Sequence, residues 1–526
     1  MINTRPIAGK HEQLNIMLAL LDHRDARPES LAATADGASL TYNELCGAAA
    51  MLGSWLVDLR VQRLAILGSR SLGGFVGMLG AAWAGAAYVP LSLKAPAARI
   101  AAMLDQARCE VLLVDRHGAR LINDELLGIG PQIIAADEHT RQLLEPKCGV
   151  VPILSELAAA PIAPVSVTAA QTAYIMFTSG TTGVPKGVSI SVGARAALIR
   201  ALDERYDIKP DDRIAETSDL SWDVSVANMI FAWENGASLH ALTVEAMIAP
   251  ARFIRANAIT VWLAVPSVIT TLMKRGALRH GIFPSLRYSL FVGEGLPANA
   301  AAAWHAAAPE SIIENLYGPV EATFACMGHR FESADAIRGK MVPIGRPYTT
   351  ADVAILGEDG RFLGDDENGE LLIGGPQLGD GYLDRDDLTH ERFPVIEGKC
   401  WYRTGDVARR DSEGLFHHLG RIDNQLKVRG YRVELEDVEA QMLTVSDAVA
   451  VAAMGWPLGA TTADYLIAFF VGGTHTPTSI RAALAERLPA YMVPGEIHGV
   501  EGLPLSVNGK LDRARLPVLL GVRAHG

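Results

Sequence analysis

Hydroxyl groups, glycines and a lysine are concentrated between residues 177 and 187, in the run FTSGTTGVPKG. The apolar run before it, residues 173–177, predicts a buried strand that delivers this loop to the carboxyl edge of a sheet. Glycines let backbone N–H groups approach phosphate oxygens, hydroxyls add donors and a lysine adds charge. We therefore interpret the run as a phosphate-binding loop; a mobile surface turn is the alternative, and the missing Gly-Lys-Ser/Thr ending excludes a Walker loop. The residues that carry this prediction are Thr178, Ser179, Gly180, Thr181, Thr182, Gly183 and Lys186.

Five more motifs combine charged, aromatic and glycine residues. They are SWDVS at residues 221–225, NLYGPVEAT at 315–323, YRTGD at 402–406, GRIDNQLKVRG at 420–430 and LPLSVNGKLD at 503–512. Together and in this order, the six stretches resemble the adenylate-forming superfamily. More narrowly, they resemble the amino-acid-activating adenylation domains of nonribosomal peptide synthetases and the stand-alone D-alanine–carrier protein ligases. The resemblance extends from about residue 40 to residue 512.

The resemblance implies a ligase that uses ATP and Mg²⁺ to activate a carboxylate by in-line attack at the α-phosphorus, which requires positioning and charge neutralisation. The loop at residues 178–186 would hold the β- and γ-phosphates. Tyr317 would stack on adenine, and Glu321 would help to bind Mg²⁺. Asp406 would accept hydrogen bonds from the ribose hydroxyls, and Arg421 would support the ribose. The alternatives are surface ion pairs for Asp406 and Arg421 and a solvated loop carboxylate for Glu321.

Lys510 matches the catalytic lysine of the family. A cation in a desolvated site can contact the substrate carboxylate and the phosphate together, whereas the alternative is an ordinary surface lysine. The resemblance implies that a mobile C-terminal domain first presents this lysine and then rotates for thioester formation, with Asp423 at the hinge position. The loop at residues 427–430 would approach the incoming phosphopantetheine, although an ordinary β-turn is the alternative reading.

Asp223 occupies the position that pairs with the substrate α-ammonium group in amino-acid-activating relatives. Its alternative role is that of a helix-capping aspartate. The remaining matched pocket positions carry no charge, so a charged substrate side chain would lack a partner and we expect a neutral, small-to-medium amino acid. Those positions are Val224, Ala227, Ser267, Phe291, Gly293, Leu316, Phe324 and Ala325.

Only sixteen residues follow Lys510, so we expect no carrier domain downstream and an enzyme that loads the phosphopantetheine thiol of a separate carrier protein. An acyl-CoA ligase acting on a small carboxylic acid is the nearest alternative, and Asp223 counts against it. A non-catalytic adenylate-binding protein is a further alternative, and the retained charged residues of the motifs count against that.

The composition limits the remaining function classes. A formal net charge of −12, with 49% hydrophobic and 20% charged residues, is typical of a soluble globular protein and argues against nucleic-acid binding. Five widely spaced cysteines and the lack of a signal-peptide pattern favour reduced thiols and a cytoplasmic location. Residues 71–93 carry no charge, and we interpret them as a buried helix followed by a strand rather than as a membrane span.

These side chains must be positioned by an α/β fold. Strand and helix patterns alternate up to about residue 343, which predicts parallel-rich sheets flanked by helices. Thr41 followed by Glu44 predicts a capping box at the start of the first such helix. A β-rich subdomain should follow near residues 352–381, and then a small α+β C-terminal domain. With 526 residues, more than one domain is expected, and we place the boundary so that residues 1–422 form the adenylation core and residues 423–526 the mobile domain.

Overall fold

The computed structural model describes residues 14–178, 185–333, 340–457, 462–504 and 511–521. Its helices are α1 (Met17–Ala26), α2 (Tyr42–Asp58), α3 (Leu72–Ala84), α4 (Ala97–Ala107), α5 (Asp124–Ile129), α6 (Glu138–Cys148), α7 (Val192–Arg205), α8 (Asp223–Trp233), α9 (Val244–Ile248), α10 (Pro250–Ala256), α11 (Ser267–Lys274), α12 (Ala298–Ala307), α13 (Asp386–Arg392), α14 (Leu435–Val445) and α15 (Pro477–Ala485). Its strands are β1 (Leu31–Ala35), β2 (Ala38–Thr41), β3 (Arg63–Leu67), β4 (Ala87–Leu91), β5 (Val111–Val114), β6 (Gln132–Ala135), β7 (Thr172–Thr178), β8 (Lys186–Ser191), β9 (Arg213–Glu216), β10 (Ser238–Ala241), β11 (Val261–Ala264), β12 (Tyr288–Phe291), β13 (Ile312–Tyr317), β14 (Met327–Phe331), β15 (Arg346–Pro347), β16 (Asp352–Leu356), β17 (Asn368–Gly374), β18 (Gly381–Tyr382), β19 (Val395–Ile396), β20 (Lys399–Arg410), β21 (Phe416–Arg421), β22 (Gln425–Val428), β23 (Tyr431–Glu434), β24 (Ala450–Trp456), β25 (Thr462–Ala463), β26 (Tyr465–Val471) and β27 (Glu496–Val500).

The described residues form two compact units. The large unit contains the residues up to Leu93, then Leu104–Phe177 and Gly187–Gly420. The small unit contains the residues from Arg421 onwards together with Lys94–Met103 and the two ends of the phosphate loop, Thr178 and residues 185–186. The C-terminal part of the small unit thus starts close to the expected boundary at Asp423, whereas the two earlier segments carry no sequence signal that separates them from the large unit.

The predicted capping box is confirmed at the start of α2. The Thr41 side chain accepts a hydrogen bond from the Glu44 N–H, at 3.2 Å, and the Glu44 carboxylate accepts one from the Thr41 N–H, at 2.8 Å. These two bonds satisfy backbone donors that the first helical turn leaves unpaired, so the local sequence is sufficient to start the helix at Tyr42.

The uncharged stretch at residues 71–93 forms the buried helix α3 and the buried strand β4, as predicted. Glycines allow α3 to pack closely on α2, because a β-carbon at Gly80 would lie 2.6 Å from Cδ2 of Leu52 and one at Gly53 would lie 2.5 Å from Cβ of Trp83. Within the part of the chain that the structure describes, no helix is both long and apolar enough to cross a membrane.

Two large sheets form the framework of the large unit. One has seven strands in the order β18-β8-β7-β4-β3-β5-β6, with parallel pairing from β7 to β6 and antiparallel pairing of the edge strand β18. The other has nine strands in the order β15-β14-β13-β12-β11-β9-β10-β1-β2 and is parallel from β13 to β1. Parallel strands end at the same edge of a sheet, so the carboxyl ends of β9, β11, β12 and β13 lie on one side.

The β-rich subdomain is an antiparallel sheet in the order β16-β17-β20-β19, with β21 paired to β20. In the small unit, β24 pairs antiparallel with β26 and β26 pairs parallel with β27. Helices α14 and α15 supply buried side chains to the same core as these strands. The predicted α/β class, with a β-rich subdomain and an α+β C-terminal domain, is confirmed.

Candidate functional site

Tyr317, Asp406 and His418 meet in the large unit, and we call these three residues the Asp406 corner. Tyr317 ends β13, Asp406 lies in β20 and His418 lies in β21. The Tyr317 hydroxyl donates to Oδ2 of Asp406, and Nε2 of His418 lies 3.1 Å from Oδ1. The centroids of the Tyr317 and His418 rings are 6.4 Å apart. Each oxygen of this buried carboxylate therefore receives a donor from a different strand.

The motifs predicted Tyr317 and Asp406 as separate nucleotide contacts, and the structure brings them into direct contact. His418 was missed. Consecutive residues of a strand point to opposite faces, and the neighbouring His417 instead contacts Asp411, with Nε2 2.7 Å from Oδ2. Two adjacent histidines in a β-like run were a visible signal, but the sequence alone does not decide which of them reaches Asp406.

The loop between residues 318 and 325 has an unusual backbone conformation. A β-carbon at Gly318 would lie 2.1 Å from the carbonyl oxygen of Phe324, so this position accepts only glycine. Thr323 and Phe324 have φ values of 54° and 76°, a conformation that costs non-glycine residues about 1 kcal/mol or more. The buried Gln377 supports the turn, because its carbonyl accepts from the Thr323 hydroxyl at 2.6 Å and its side chain donates to the Ala325 carbonyl at 2.9 Å.

Glu321 lies within this loop, in the 3₁₀ turn Val320–Ala322, and is 1% exposed. The Tyr382 hydroxyl donates to its Oε1 at 2.8 Å, and its own carbonyl accepts from the Gly379 N–H at 2.8 Å. Mg²⁺ prefers oxygen ligands and is usually held by one or two carboxylates together with substrate phosphates and water. A buried carboxylate oriented by a tyrosine hydroxyl fits that requirement, and Tyr382 is a contact that the motifs did not predict.

The ends of the phosphate loop belong to the small unit. Lys186 begins β8 and is buried, with Nζ 3.9 Å from Oε1 of Glu434. Burial raises the pKa of the Glu434 carboxyl, although the charges of Arg432 and Lys186 oppose that shift. Thr178 ends β7 and is half-buried. The other predicted loop and catalytic residues, Ser179, Gly180, Thr181, Thr182, Gly183 and Lys510, lie outside the described residues.

Arg421 and Asp423, which were predicted to support the ribose and to form the hinge, bind each other in the small unit. The guanidinium donates from Nε to Oδ1 at 2.6 Å and from Nη2 to Oδ2 at 2.8 Å. Burial alone would raise the pKa of Asp423, but the hydrogen bonds and charge of Arg421 lower it. A bidentate pair of this kind is geometrically specific. The roles of the two residues stay predictions.

Helix α8 begins at Asp223, at the carboxyl edge of the nine-stranded sheet, and packs against β9, β10 and β11. Asp223 is half-buried, and its charge acts on the buried phenol of Tyr174. The next turn of α8 and the ends of β12 and β13 contribute buried apolar side chains to the same core, and we call this set the α8 cluster. It consists of Val224, Ala227, Leu290, Val292, Leu316, Phe324 and Ala325.

Phe291, which was predicted to line the substrate pocket, does not belong to the α8 cluster, and its place in the pocket stays a prediction. Its ring packs on the other face of the sheet, 5.3 Å from the ring of Trp304 in α12, within a separate core. The reason is the two-residue alternation of β12, which places Leu290 and the following Val292 on the α8 face. Counting that alternation would have predicted that Val292 also faces α8.

Gly293 and Ser267 lie where the strands turn away from the sheet. Gly293 has a φ of 89°, and the residue after it, Glu294, accepts a hydrogen bond from the Ser267 N–H at 2.8 Å. This bond supplies an acceptor to the first turn of α11. Ser267 is half-buried, and its place in the substrate pocket stays a prediction.

A buried carboxyl group, Glu216, lies at the end of β9 beside α8. Its Oε1 accepts from the Asn228 side chain at 3.1 Å and from the Ser218 N–H at 3.0 Å. Its Oε2 has no hydrogen-bond partner among the described residues, and neither does Oδ1 of Asn228. Burial raises the pKa of Glu216 to about 8, although the two hydrogen bonds oppose that shift. No motif singled out this residue.

Comparisons with known proteins cover both units. The sequence matches the family model described as "AMP-binding enzyme" over residues 21–383. It is 30% identical over 509 residues to tyrocidine synthase 1 of Brevibacillus parabrevis, covering 94% of this chain but 44% of that protein. It is 28% identical over 503 residues to a D-alanine–D-alanyl carrier protein ligase of Bacillus mycoides, covering 93% of this chain and 96% of that protein.

The fold is similar to the crystal structure of the Vibrio cholerae adenylation domain AlmE in complex with glycyl-adenosine-5′-phosphate. The TM-score is 0.88 at 30% sequence identity, and the alignment covers 97% of this chain and 98% of that chain. Because this chain spans less than half the length of the synthase with which it shares 30% identity, that synthase's complete activity is not implied by the match.

Proposed function

This chain belongs to the AMP-binding enzyme family, and from that premise we propose that it activates a neutral, small-to-medium amino acid as an aminoacyl adenylate. In the first step a substrate carboxylate oxygen attacks the α-phosphorus of ATP, and the bond to pyrophosphate breaks. In the second step the phosphopantetheine thiol of a separate carrier protein loses its proton and attacks the acyl carbon, and AMP leaves. The product is an aminoacyl thioester.

The position of Asp223 carries this proposal. It opens α8 immediately before Val224 and beside the buried apolar α8 cluster. A carboxylate at that point suits the α-ammonium group of an amino acid, and an apolar surface without charge suits a neutral side chain. The glycyl adenylate held by the similar Vibrio cholerae domain and the D-alanine named for the Bacillus mycoides ligase support a small substrate.

The nucleotide would bind at the Asp406 corner and along the phosphate loop. Asp406 would accept hydrogen bonds from the ribose, and Tyr317 would contact the adenine. Glu321, oriented by Tyr382, would hold Mg²⁺, which would neutralise charge on the phosphates. Lys186 would bind the departing pyrophosphate end, Arg421 would support the ribose, and Lys510 would stabilise the charge that develops between the carboxylate and the α-phosphate.

The test is ATP–pyrophosphate exchange with the purified chain across amino acids, including D- and β-amino acids. We expect exchange with one or a few small neutral amino acids. A complete lack of exchange with every amino acid, in a chain that still binds ATP, would favour a non-catalytic adenylate-binding protein.

The Lys510→Ala variant is the matched negative control. We expect it to lose at least about 100-fold in exchange rate, because one group that stabilises the developing charge is removed. Its thermal unfolding should match that of the unmodified chain. Normal exchange in this variant would remove Lys510 from the catalytic role.

The acceptor is tested separately. Radiolabelled amino acid should be transferred to a holo-carrier protein that has its phosphopantetheine arm, and not to the same carrier with its modified serine replaced by alanine. Faster transfer to free CoA than to any holo-carrier would identify an acyl-CoA ligase instead.

A further inference from the structure

Glu216 ends β9 and directs its carboxyl group towards α8. Along β9 the side chains alternate, because Ile214 belongs to the core on the α8 face and Ala215 to the separate core on the other face. Glu216, two residues after Ile214, therefore lies on the α8 face, where it is fully buried. Asn228, in the second turn of α8, reaches the same carboxyl group from the helix.

One oxygen of this carboxyl group accepts hydrogen bonds from chain segments on both sides of Asp223. Oε1 accepts from the Ser218 N–H at 3.0 Å and from Nδ2 of Asn228 at 3.1 Å. Ser218 lies five residues before Asp223, and Asn228 lies five residues after it. β9 lies between β10 and β11 in the nine-stranded sheet. The two bonds therefore tie the loop before α8, and the helix itself, to the end of a central strand.

The loop between β9 and α8 also has bonds of its own. The Trp222 N–H donates to the Asp219 carbonyl at 3.0 Å, and the Ser221 hydroxyl donates to the Asp219 carboxylate at 2.9 Å. A short loop that is bonded internally has few ways to move independently of its ends. A tie at Ser218 therefore also restrains the start of the helix, where Asp223 lies.

The donors and acceptors of the pair favour a neutral carboxyl group. Oε2 of Glu216 and Oδ1 of Asn228 both have no hydrogen-bond partner among the described residues. An ionised carboxylate only accepts, whereas a carboxylic acid has one O–H donor that Oε2 can direct to the amide oxygen. Burial raises the pKa of Glu216 to about 8, although the hydrogen bonds from Ser218 and Asn228 oppose that shift. A neutral Glu216 can therefore bind Asn228 through both of its oxygens.

We propose that Glu216 is a positioning residue for the amino-acid substrate, because its carboxyl group holds the start of α8 and with it the Asp223 carboxylate. This inference rests on the proposed recognition of the α-ammonium group by Asp223. Without the acceptor, the buried Ser218 N–H and the Asn228 amide would have to move to find other partners, and Asp223 would move with them. The inference assigns to Glu216 an effect on the KM for the amino acid and none on the KM for ATP.

The experiment measures ATP–pyrophosphate exchange with the full chain, varying ATP and the amino acid that supports the fastest exchange in turn. Glu216→Leu removes the acceptor at similar volume, Glu216→Gln keeps an acceptor and a donor, and Asn228→Leu removes only the tie to the helix. We expect the KM for the amino acid to rise about fivefold in Glu216→Leu and about threefold in Asn228→Leu, and to stay unchanged in Glu216→Gln. The KM for ATP should stay unchanged in all three.

A matched control removes one buried hydrogen bond from the same sheet, on the face away from α8. Ser289 in β12 is fully buried, and its hydroxyl oxygen lies 2.8 Å from that of Ser311. It lies two residues before Phe291 and therefore on the same face as that residue. A chain that only loses stability contains less folded enzyme, so its apparent kcat falls while both KM values stay unchanged. We expect this pattern in Ser289→Ala and not in Glu216→Leu.

Hydrogen exchange followed by mass spectrometry tests the tie without any amino acid. Peptides that cover residues 217–228 should exchange faster in Glu216→Leu than in the unmodified chain, because the bonds to Oε1 are lost. In Ser289→Ala the same peptides should exchange as they do in the unmodified chain.

An unchanged KM for the amino acid in Glu216→Leu would overturn the inference and leave the proposed function standing, and so would an equal rise in Glu216→Gln. If Glu216→Leu does not fold, an unchanged KM in Asn228→Leu overturns the inference instead. If no amino acid supports exchange in the unmodified chain, the proposed function fails. Faster hydrogen exchange in Glu216→Leu would then still show that Glu216 holds the start of α8, and unchanged hydrogen exchange would overturn that as well.

Discussion

The Asp406 corner and the α8 cluster lie in the same unit, and they hold their side chains by different forces. At the corner, Tyr317 and His418 each donate a hydrogen bond to one oxygen of a single carboxylate. In the α8 cluster, apolar side chains from a helix, two strand ends and a loop are buried in one core. Hydrogen bonds select by the direction of donors and acceptors, whereas apolar packing selects by volume.

This difference predicts how the two proposed substrates, ATP and the amino acid, would be recognised. Replacing a donor at the corner removes a specific hydrogen bond, so each residue type matters. Replacing an apolar residue in the α8 cluster by another of similar volume costs less than about 1.5 kcal/mol, so no single residue type is required. We expect nucleotide binding to depend on residue chemistry and amino-acid choice to depend on residue size.

The largest expected effect is a rise in the KM for the amino acid when Asp223, the first residue of α8, is replaced. Asp223→Ala should raise the KM for the amino acid about 10- to 100-fold and leave the KM for ATP unchanged, because the partner of the α-ammonium group is lost. Exchange kinetics with each substrate varied in turn measure both constants, and the exposed Asp211→Ala is the control for lost negative charge. Unchanged amino-acid KM, with a lower unfolding temperature, would mean that Asp223 only stabilises the helix start.

An intermediate effect is expected on the preference among amino acids, and it should differ between the two faces of β12. Val292→Ala should shift the preference, measured as kcat/KM, about tenfold towards a neutral amino acid larger by one or more methylene groups. Phe291→Leu is the matched variant on the opposite face, and it should cost about 1 kcal/mol of stability without changing the preference. A change of preference in Phe291→Leu and none in Val292→Ala would support the predicted place of Phe291 in the pocket.

The smallest effect on substrate recognition is expected from Glu216→Gln, at the buried carboxyl beside α8, because this prediction concerns the stability of the fold. The pKa of Glu216 is about 8, above its ordinary value of 4.5, so the folded chain retains a proton that the unfolded chain has lost. Its contribution to stability is therefore complete below about pH 4.5 and is lost as the pH rises towards 8, by up to about 1.4 kcal/mol per pH unit.

Glu216→Gln removes this titration. Its unfolding temperature should fall less between pH 5 and pH 8 than that of the unmodified chain, as measured by differential scanning fluorimetry in a series of buffers. The exposed Glu358→Gln is the control and should follow the unmodified chain. Parallel pH profiles for Glu216→Gln and the unmodified chain would show that Glu216 does not retain its proton.

Signals that depend on neighbours in the chain were predictable from the sequence. Thr41 and Glu44 are three residues apart, so their capping box forms within one helical turn. The uncharged stretch at residues 71–93 likewise formed the predicted buried helix and strand.

Contacts between residues far apart in the chain were not predictable in the same way. His418 is 101 residues from Tyr317, by their positions in the sequence, and only the pairing of β20 with β21 brings it to Asp406. Tyr382 reaches Glu321 across 61 residues. A match between residues also does not show which face of a strand a side chain occupies, and the alternation along β12 places Phe291 in a core separate from the α8 cluster.

By itself the sequence determined the α/β class, the start of α2 and the residue types of the motifs, because these depend on local spacing and on the chemistry of single side chains. The tertiary structure decided which donors hold Asp406 and Glu321, and it decided that Val292 rather than Phe291 faces α8. The physical reason is that hydrogen bonds and packing act over a few ångströms, and only the folded chain brings distant residues within that range.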